Sequence, residues 1–115
     1  MLIRSQNKAV LLNFSNLAAI YTVKDGDDFI ISSLEGENKC TLGKYSTKAK
    51  AMKVLDMIQE AYEEYKITCT FLTGFTGHRA IVESNDIQVN GFKELVKSFK
   101  KNMVFQMPED SEVEV

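Results

Sequence analysis

The chain has little of what usually announces an enzyme. Its one histidine, His78, and its two cysteines, Cys40 and Cys69, are far apart and without CxxC spacing. They make a poor tetrahedral set for zinc and fit buried thiols of a reducing compartment. A single histidine leaves no spare acid or base beside a nucleophile: His78 with Asp86 or Glu83 could act as a general base, but no second group with a role accompanies it, and no serine sits in a GxSxG setting. Pro108 is the only proline, Arg4 and Arg79 are the only arginines, and tryptophan is absent. No apolar run approaches the roughly 20 residues needed to cross a bilayer, and Met1-Leu2-Ile3-Arg4-Ser5-Gln6 lacks the apolar stretch of a signal peptide. A net charge of -2 argues against bulk affinity for nucleic acid or anionic membrane. The expectation is a cytosolic protein that binds rather than catalyses, with no cofactor and no metal.

What is present is an ordinary globular composition over 115 residues, enough for one domain with its own core. The pattern predicts an α+β fold. Leu2–Gln6, Ala9–Phe14, Leu17–Val23, Phe29–Leu34 and Lys39–Leu42 are short and rich in apolar or β-branched residues. They read as an antiparallel β-meander over residues 1–42, and the first two, Leu2–Gln6 and Ala9–Phe14, equally fit a hairpin of their own about Asn7-Lys8. Asp25-Gly26 is its strongest hairpin signal, since glycine takes positive φ without a Cβ penalty. Leu42-Gly43-Lys44-Tyr45-Ser46 reads as the turn that follows, with Ser46 as helix N-cap.

From residue 46 to 66 the period becomes helical. Ala51, Leu55, Ile58, Tyr62 and Tyr65 form one stripe, and Val54, Met57 and Ala61 a second beside it. The charges of this helix run against its dipole. Lys44, Lys48, Lys50 and Lys53 crowd the positive end and Glu60, Glu63 and Glu64 the negative one. Such an order invites an anion at the lysine end or a second copy running antiparallel. The reversed charges tip the reading toward the second copy, a homo-oligomer built through the long helix and its wide apolar face; a deeply buried helix would show the same two stripes. Residues 67–107 read as a strand at Ile67–Leu72, a loop from Thr73 to Arg79, an ambiguous stretch at Ala80–Val89, a shorter helix at about Gly91–Lys101 and a closing strand at Met103–Met107. Its exposed helix face is Lys93, Lys97, Lys100 and Lys101. Residues 108–115, after Pro108, read as a flexible acidic tail.

Phe71-Leu72-Thr73-Gly74-Phe75-Thr76-Gly77-His78-Arg79 holds the parts of a nucleotide pocket. Glycines let amides approach an anion, phenylalanines stack a base, and an arginine forks a phosphate. A surface turn whose phenylalanines anchor in the core has the same composition, and the segment matches neither GxxxxGK[ST] nor GxGxxG. Lys44 and the free amides after Ser46 form a second electropositive place.

The opening Met1–Gln6, the Leu42–Thr47 turn into Ala51-Met52-Lys53-Val54-Leu55 and the ending Phe105–Asp110 resemble short proteins of phages and prophages of Gram-positive bacteria. The nearest named resemblance is to the Thoeris anti-defence proteins, which sequester the cyclic ADP-ribose signal of a bacterial immune system. That resemblance implies a homo-oligomeric, non-enzymatic sponge in the host cytoplasm with a pocket shared between protomers. It implies Phe71, Phe75, Thr76, Arg79 and Asn90 for base and ribose, and Lys44 and Lys48 for phosphate. A second expectation is an anti-CRISPR-like inhibitor that blocks a host enzyme through a sheet edge or through Asp110, Glu112 and Glu114 of the tail.

Overall fold

Glycine sets the geometry of the central sheet. Gly26 and Gly36 have φ near +60°, each at the first central position of a two-residue turn, the type II′ arrangement that joins twisted antiparallel strands. In the computed structural model, which describes residues 1–73, 97 and 103–115, these turns connect β3 (Ala19–Asp25), β4 (Asp28–Glu35) and β5 (Asn38–Tyr45). The three strands form an antiparallel meander in the order β3-β4-β5. A bulge between Ile31 and Ser32 shifts the β4–β5 register. The 26-residue helix α1 (Lys48–Thr73) packs on the meander, which makes the fold α+β as expected.

The first two strands do not join that meander. β1 (Leu2–Arg4) pairs antiparallel with β2 (Leu11–Asn13) and parallel with β6 (Val104–Gln106), in a separate sheet of order β2-β1-β6. The reason is local. The Asn13 side chain accepts from the Ser15 amide and starts a one-turn 3₁₀ helix at Phe14–Asn16, which turns the chain before β3 begins. Gln6 then ties the two sheets together. Its amide N–H donates to the Leu42 carbonyl at 2.7 Å, while its side chain donates to the Lys44 carbonyl and accepts from the Lys44 amide.

One core serves both sheets. Ile3, Ile31, Leu42, Tyr45, Ala51, Val54, Ile58, Met107 and Val113 are buried in it, with Phe14, Leu55, Ala61, Tyr62 and Tyr65 packed against its margin. Burial of a Val or Ile side chain is worth roughly 1.5–3 kcal/mol. The second apolar stripe of the helix is partly consumed here. Val54 is fully buried and Ala61 contacts the core, so much of the surface that favoured a helix-to-helix oligomer is used within the chain.

Four further sequence expectations need correction. The segment Leu42–Tyr45 is not a turn but the end of β5, and close packing favours its glycine: a Cβ on Gly43 would lie 3.1 Å from the Tyr45 ring, which would have to give by a few tenths of an ångström. The cap of α1 is Thr47 rather than Ser46, since Thr47 Oγ1 accepts from the Lys50 amide at 3.1 Å. The expected strand at Ile67–Leu72 is the end of α1. No glycine or proline interrupts residues 48–73, and the hydroxyls of Thr68 and Thr70 bond back to the carbonyls of Glu64 and Lys66.

The acidic tail is the fourth, because it is docked. Tyr45 Oη donates to the Pro108 carbonyl at 2.8 Å, Glu109 and Glu112 close a capping box around a 3₁₀ turn at Asp110–Glu112, and Val113 is buried. Burial and the carboxylates of Glu109, Asp110 and Glu112 hold the Tyr45 phenol far above the usual tyrosine range. The expected second helix at about Gly91–Lys101, apart from Lys97, lies outside the described residues, as does the Ala80–Val89 stretch.

Candidate functional site: an apolar groove beside the helix

The lysine end of α1 is the first place where the sequence called for an anion. The chain supplies one. The Asp110 carboxylate accepts from the Ser46 amide at 2.8 Å and from the Ser46 hydroxyl at 3.0 Å, and it pairs with Lys50 Nζ at 3.4 Å. The Ser46 amide is the leading cause that draws the Asp110 carboxyl below its ordinary value, with the Ser46 hydroxyl and Lys50 adding to it. Lys44, on β5, pairs with Asp28 at 3.4 Å and is exposed. Lys48, the first residue of α1, is exposed as well. Beside Lys44 lies a small hollow of about 110 Å³, lined also by Gln6, Asn7, Thr41, Leu42 and Gly43, too small for a nucleotide.

The Asp110 contact predicts a pH response with a definite sign. A carboxyl whose folded value lies below its unfolded value of 3.8 stabilises the fold above that value, and the contribution is lost as pH falls through the lowered value. Thermal melts from about pH 6 to about pH 2 should show the native chain losing stability below about pH 4 more steeply than Asp110→Asn. Parallel curves for the two proteins would refute the tail contact as a source of that slope.

Of the other expected site residues, Phe71 falls in the last turn of α1 rather than in a strand leading into a loop. Phe75, Thr76, Arg79 and Asn90 lie outside the described residues, as does all of the Thr73–Arg79 loop beyond Thr73 itself.

A larger concavity lies elsewhere. Between α1 and the chain entering β3 is an open groove of about 450 Å³, within the range of small-molecule sites. Phe14, Leu17, Ala18, Ala19 and Ile20 form one wall, and Leu55, Ile58, Gln59 and Tyr62 of α1 form the other. The Phe14 and Tyr62 rings stack with centroids 4.4 Å apart and planes 27° from parallel. Tyr62 also stacks on Tyr65 at 6.4 Å, and Lys66 Nζ lies 5.7 Å from the Tyr62 centroid. The result is an aromatic ladder running up the helix from the groove, with an ammonium beside it. Gln59 supplies an amide at the rim, and its Nε2 is already donated to Glu63 at 3.2 Å.

Sequence reasoning placed Leu55, Ile58 and Tyr62 correctly on the packed stripe but missed that they face a gap. The available signal was Ala18-Ala19. Two methyl side chains, where a strand ordinarily presents branched or aromatic ones, leave the space between sheet margin and helix unfilled.

The groove presents aliphatic and aromatic surface with a single amide, Gln59, and a single phenol, Tyr62. None of its lining residues is a carboxylate, histidine, cysteine, serine or lysine. The Tyr65 phenol on the ladder is raised above its ordinary value, chiefly by its hydrogen bond with Cys69 and then by burial, so it stays protonated at neutral pH. Among the described residues no three of His, Cys, Asp and Glu converge as a metal site, and no helix is long and apolar enough to cross a membrane. Comparison with family models, with curated proteins and with solved structures finds no match to this chain.

Proposed function

We propose that the protein is a non-catalytic, homo-oligomeric binding protein that captures a small ligand carrying a planar ring. Its likeness to the Thoeris anti-defence proteins makes that ligand a cyclic nucleotide signal, of the cyclic ADP-ribose or cyclic oligonucleotide class, sequestered in the cytoplasm of a phage-infected bacterium. The observation that carries the reading is the groove. It combines nucleotide-scale volume, an aromatic ladder and no acid, base or nucleophile except the Tyr62 phenol. A ring held against Phe14 and Tyr62 gains stacking of about 1–3 kcal/mol per base. Lys66 stands beside that ladder for phosphate, and Phe71, Phe75, Thr76, Arg79, Asn90, Lys44 and Lys48 remain the contacts that the resemblance implies.

Isothermal titration with cyclic ADP-ribose and a panel of cyclic di- and trinucleotides is the direct test. The expected result is saturable heat with at least one of them and unchanged ligand recovered afterwards. Phe14→Leu should weaken that binding by roughly 5- to 150-fold, the equivalent of one lost stack. Absence of heat with every compound would sink the proposal.

The alternative, an inhibitor that offers its acidic tail to a host enzyme, is less favoured. Asp110 is held by Ser46 and Lys50, and Glu112 by the Glu109 amide, so two of the three carboxylates it needs are already engaged.

A further inference from the structure

We infer that the outer edge of β3 is where a second copy of the chain adds its own β3, and that this pairing carries Lys24 of the partner subunit to the rim of the apolar groove. The first half of the inference stands on the sheet alone. The second half rests on the binding reading proposed above.

Open sheet edges are ordinarily shortened, bulged, charged or covered, because their unpaired N–H and C=O groups accept any strand that fits. The edges of this protein differ sharply in this respect. β2 and β6 are three residues each. The β5 edge is closed by Gln6, which bonds Leu42 through its main chain and Lys44 through both ends of its side chain, and β5 also carries the bulge. β3 is seven residues long, pairs with β4 in unbroken register and contains no proline. Among the described residues no strand pairs with its outer side. Val23, near its middle, is a 42% exposed hydrophobe.

The outward groups of β3 follow from its hairpin. Asp25 and Asp28 flank a two-residue turn, so they exchange both main-chain bonds, and the pattern alternates from there. Tyr21 and Val23 therefore point their N–H and C=O toward β4. Ile20, Thr22 and Lys24 point theirs outward. A two-fold axis through Thr22 sets Thr22 against its own copy and Ile20 against Lys24 of the partner subunit. That register uses every outward group of all three residues, whereas centring on Tyr21 or Val23 leaves one of them unpaired.

The side chains agree with the same axis. Tyr21 lies opposite Val23 of the partner subunit, an aromatic to β-branched pair that covers the exposed Val23. Asp25 lies opposite Ala19 of the partner subunit, and no like charges face each other. This self-complementarity makes a second copy the occupant of the edge, joined in the isologous manner of a closed dimer.

The pairing also alters the groove. Ile20 lines the groove, so its side of β3 is the one facing α1, and strand alternation puts Thr22 and Lys24 on that same side. Directly opposed residues share a face at about 4.5–5.5 Å between Cβ atoms. Lys24 of the partner subunit thus arrives beside Ile20, at a groove that has no charged residue in its own lining. The aromatic wall takes the ring, and this ammonium takes the phosphate.

Light scattering on the intact chain should give twice its 13.0 kDa mass. Thr22→Cys, made in a background with Cys40→Ser and Cys69→Ser, should form a disulfide-linked dimer under mild oxidation, while Lys39→Cys in the same background should not. Thr22→Pro removes an outward N–H without taking a bond from β4, and it should yield a monomer with a native circular-dichroism spectrum. A strict monomer, or a dimer in which Thr22→Cys fails to cross-link, overturns the pairing. Lys24→Ala should keep the dimer mass and weaken cyclic nucleotide binding at least tenfold; unchanged affinity removes Lys24 from the site and leaves the pairing standing. If no nucleotide binds the native chain, the binding reading fails while mass and cross-linking still decide the dimer.

Discussion

Removal of Glu109–Val115 is expected to lower the melting temperature by roughly 6–12 °C, although the segment is short, acidic and at the end of the chain. Val113 alone accounts for that range. It is 5% exposed and part of the core, so its loss takes away roughly 1.5–3 kcal/mol of apolar burial and opens the core margin to water. Asp110 adds to the effect in a different way, by leaving the Ser46 amide, the Ser46 hydroxyl and the Lys50 ammonium to solvent. Differential scanning calorimetry of the shortened chain at neutral pH decides the matter. A midpoint equal to that of the full chain would show that the tail is an appendage.

The same tail resolves the charge order of α1. The sequence places lysines at the positive end of the helix and glutamates at its negative end, an order that invites an outside partner. Two facts dissolve most of that conflict. Asp110 brings a carboxylate to the helix start from 60 residues away in the chain, bonding Lys50. The helix also runs to Thr73, so Glu60, Glu63 and Glu64 sit in its interior, whereas dipole effects are confined to the first and last turns. No basic residue occupies the last turn and no acidic residue the first. The remaining mismatch is the exposed Lys48 in the first turn, a far weaker argument for either a phosphate or an antiparallel helix pair.

How much was legible in the sequence depended on whether the signal was local. The β3-β4-β5 meander was readable because Asp25-Gly26 and Glu35-Gly36 carry their turn chemistry with them. The body of α1 was readable because Ala51, Leu55, Ile58, Tyr62 and Tyr65 keep the helical period. Ile67-Thr68-Cys69-Thr70 misled because β-branched residues favour strands on average, while a helix already propagating, with threonine hydroxyls bonded to the preceding turn, overrides that preference. The docking of the tail had no local signature at all. It depends on Tyr45, Ser46 and Lys50 converging on a segment 60 residues distant, which only the folded chain brings about. The groove failed to announce itself for a related reason: an unfilled space is a relation between Ala18-Ala19 and a helix that lies far along the chain.

Two isoleucines on α1 should behave in opposite ways, and the contrast tests which face of the helix carries stability. Ile58 is 3% exposed, lies in the core and also lines the groove, so Ile58→Ala should cost about 2–5 kcal/mol and lower the melting temperature by roughly 8–20 °C. The lower half of that range is expected, because the open groove beside Ile58 already admits water and lets the site relax. Ile67, nine residues further along the same helix, is 70% exposed. Ile67→Ala should change stability by no more than about 0.5 kcal/mol, since it uncovers no core and puts a better helix former on the surface. Urea denaturation of both variants gives the two free energies directly. A large loss at Ile67 would mean that the outer face of α1 is covered in solution, and it would restore the long helix as an interface between copies at the expense of the β3 edge.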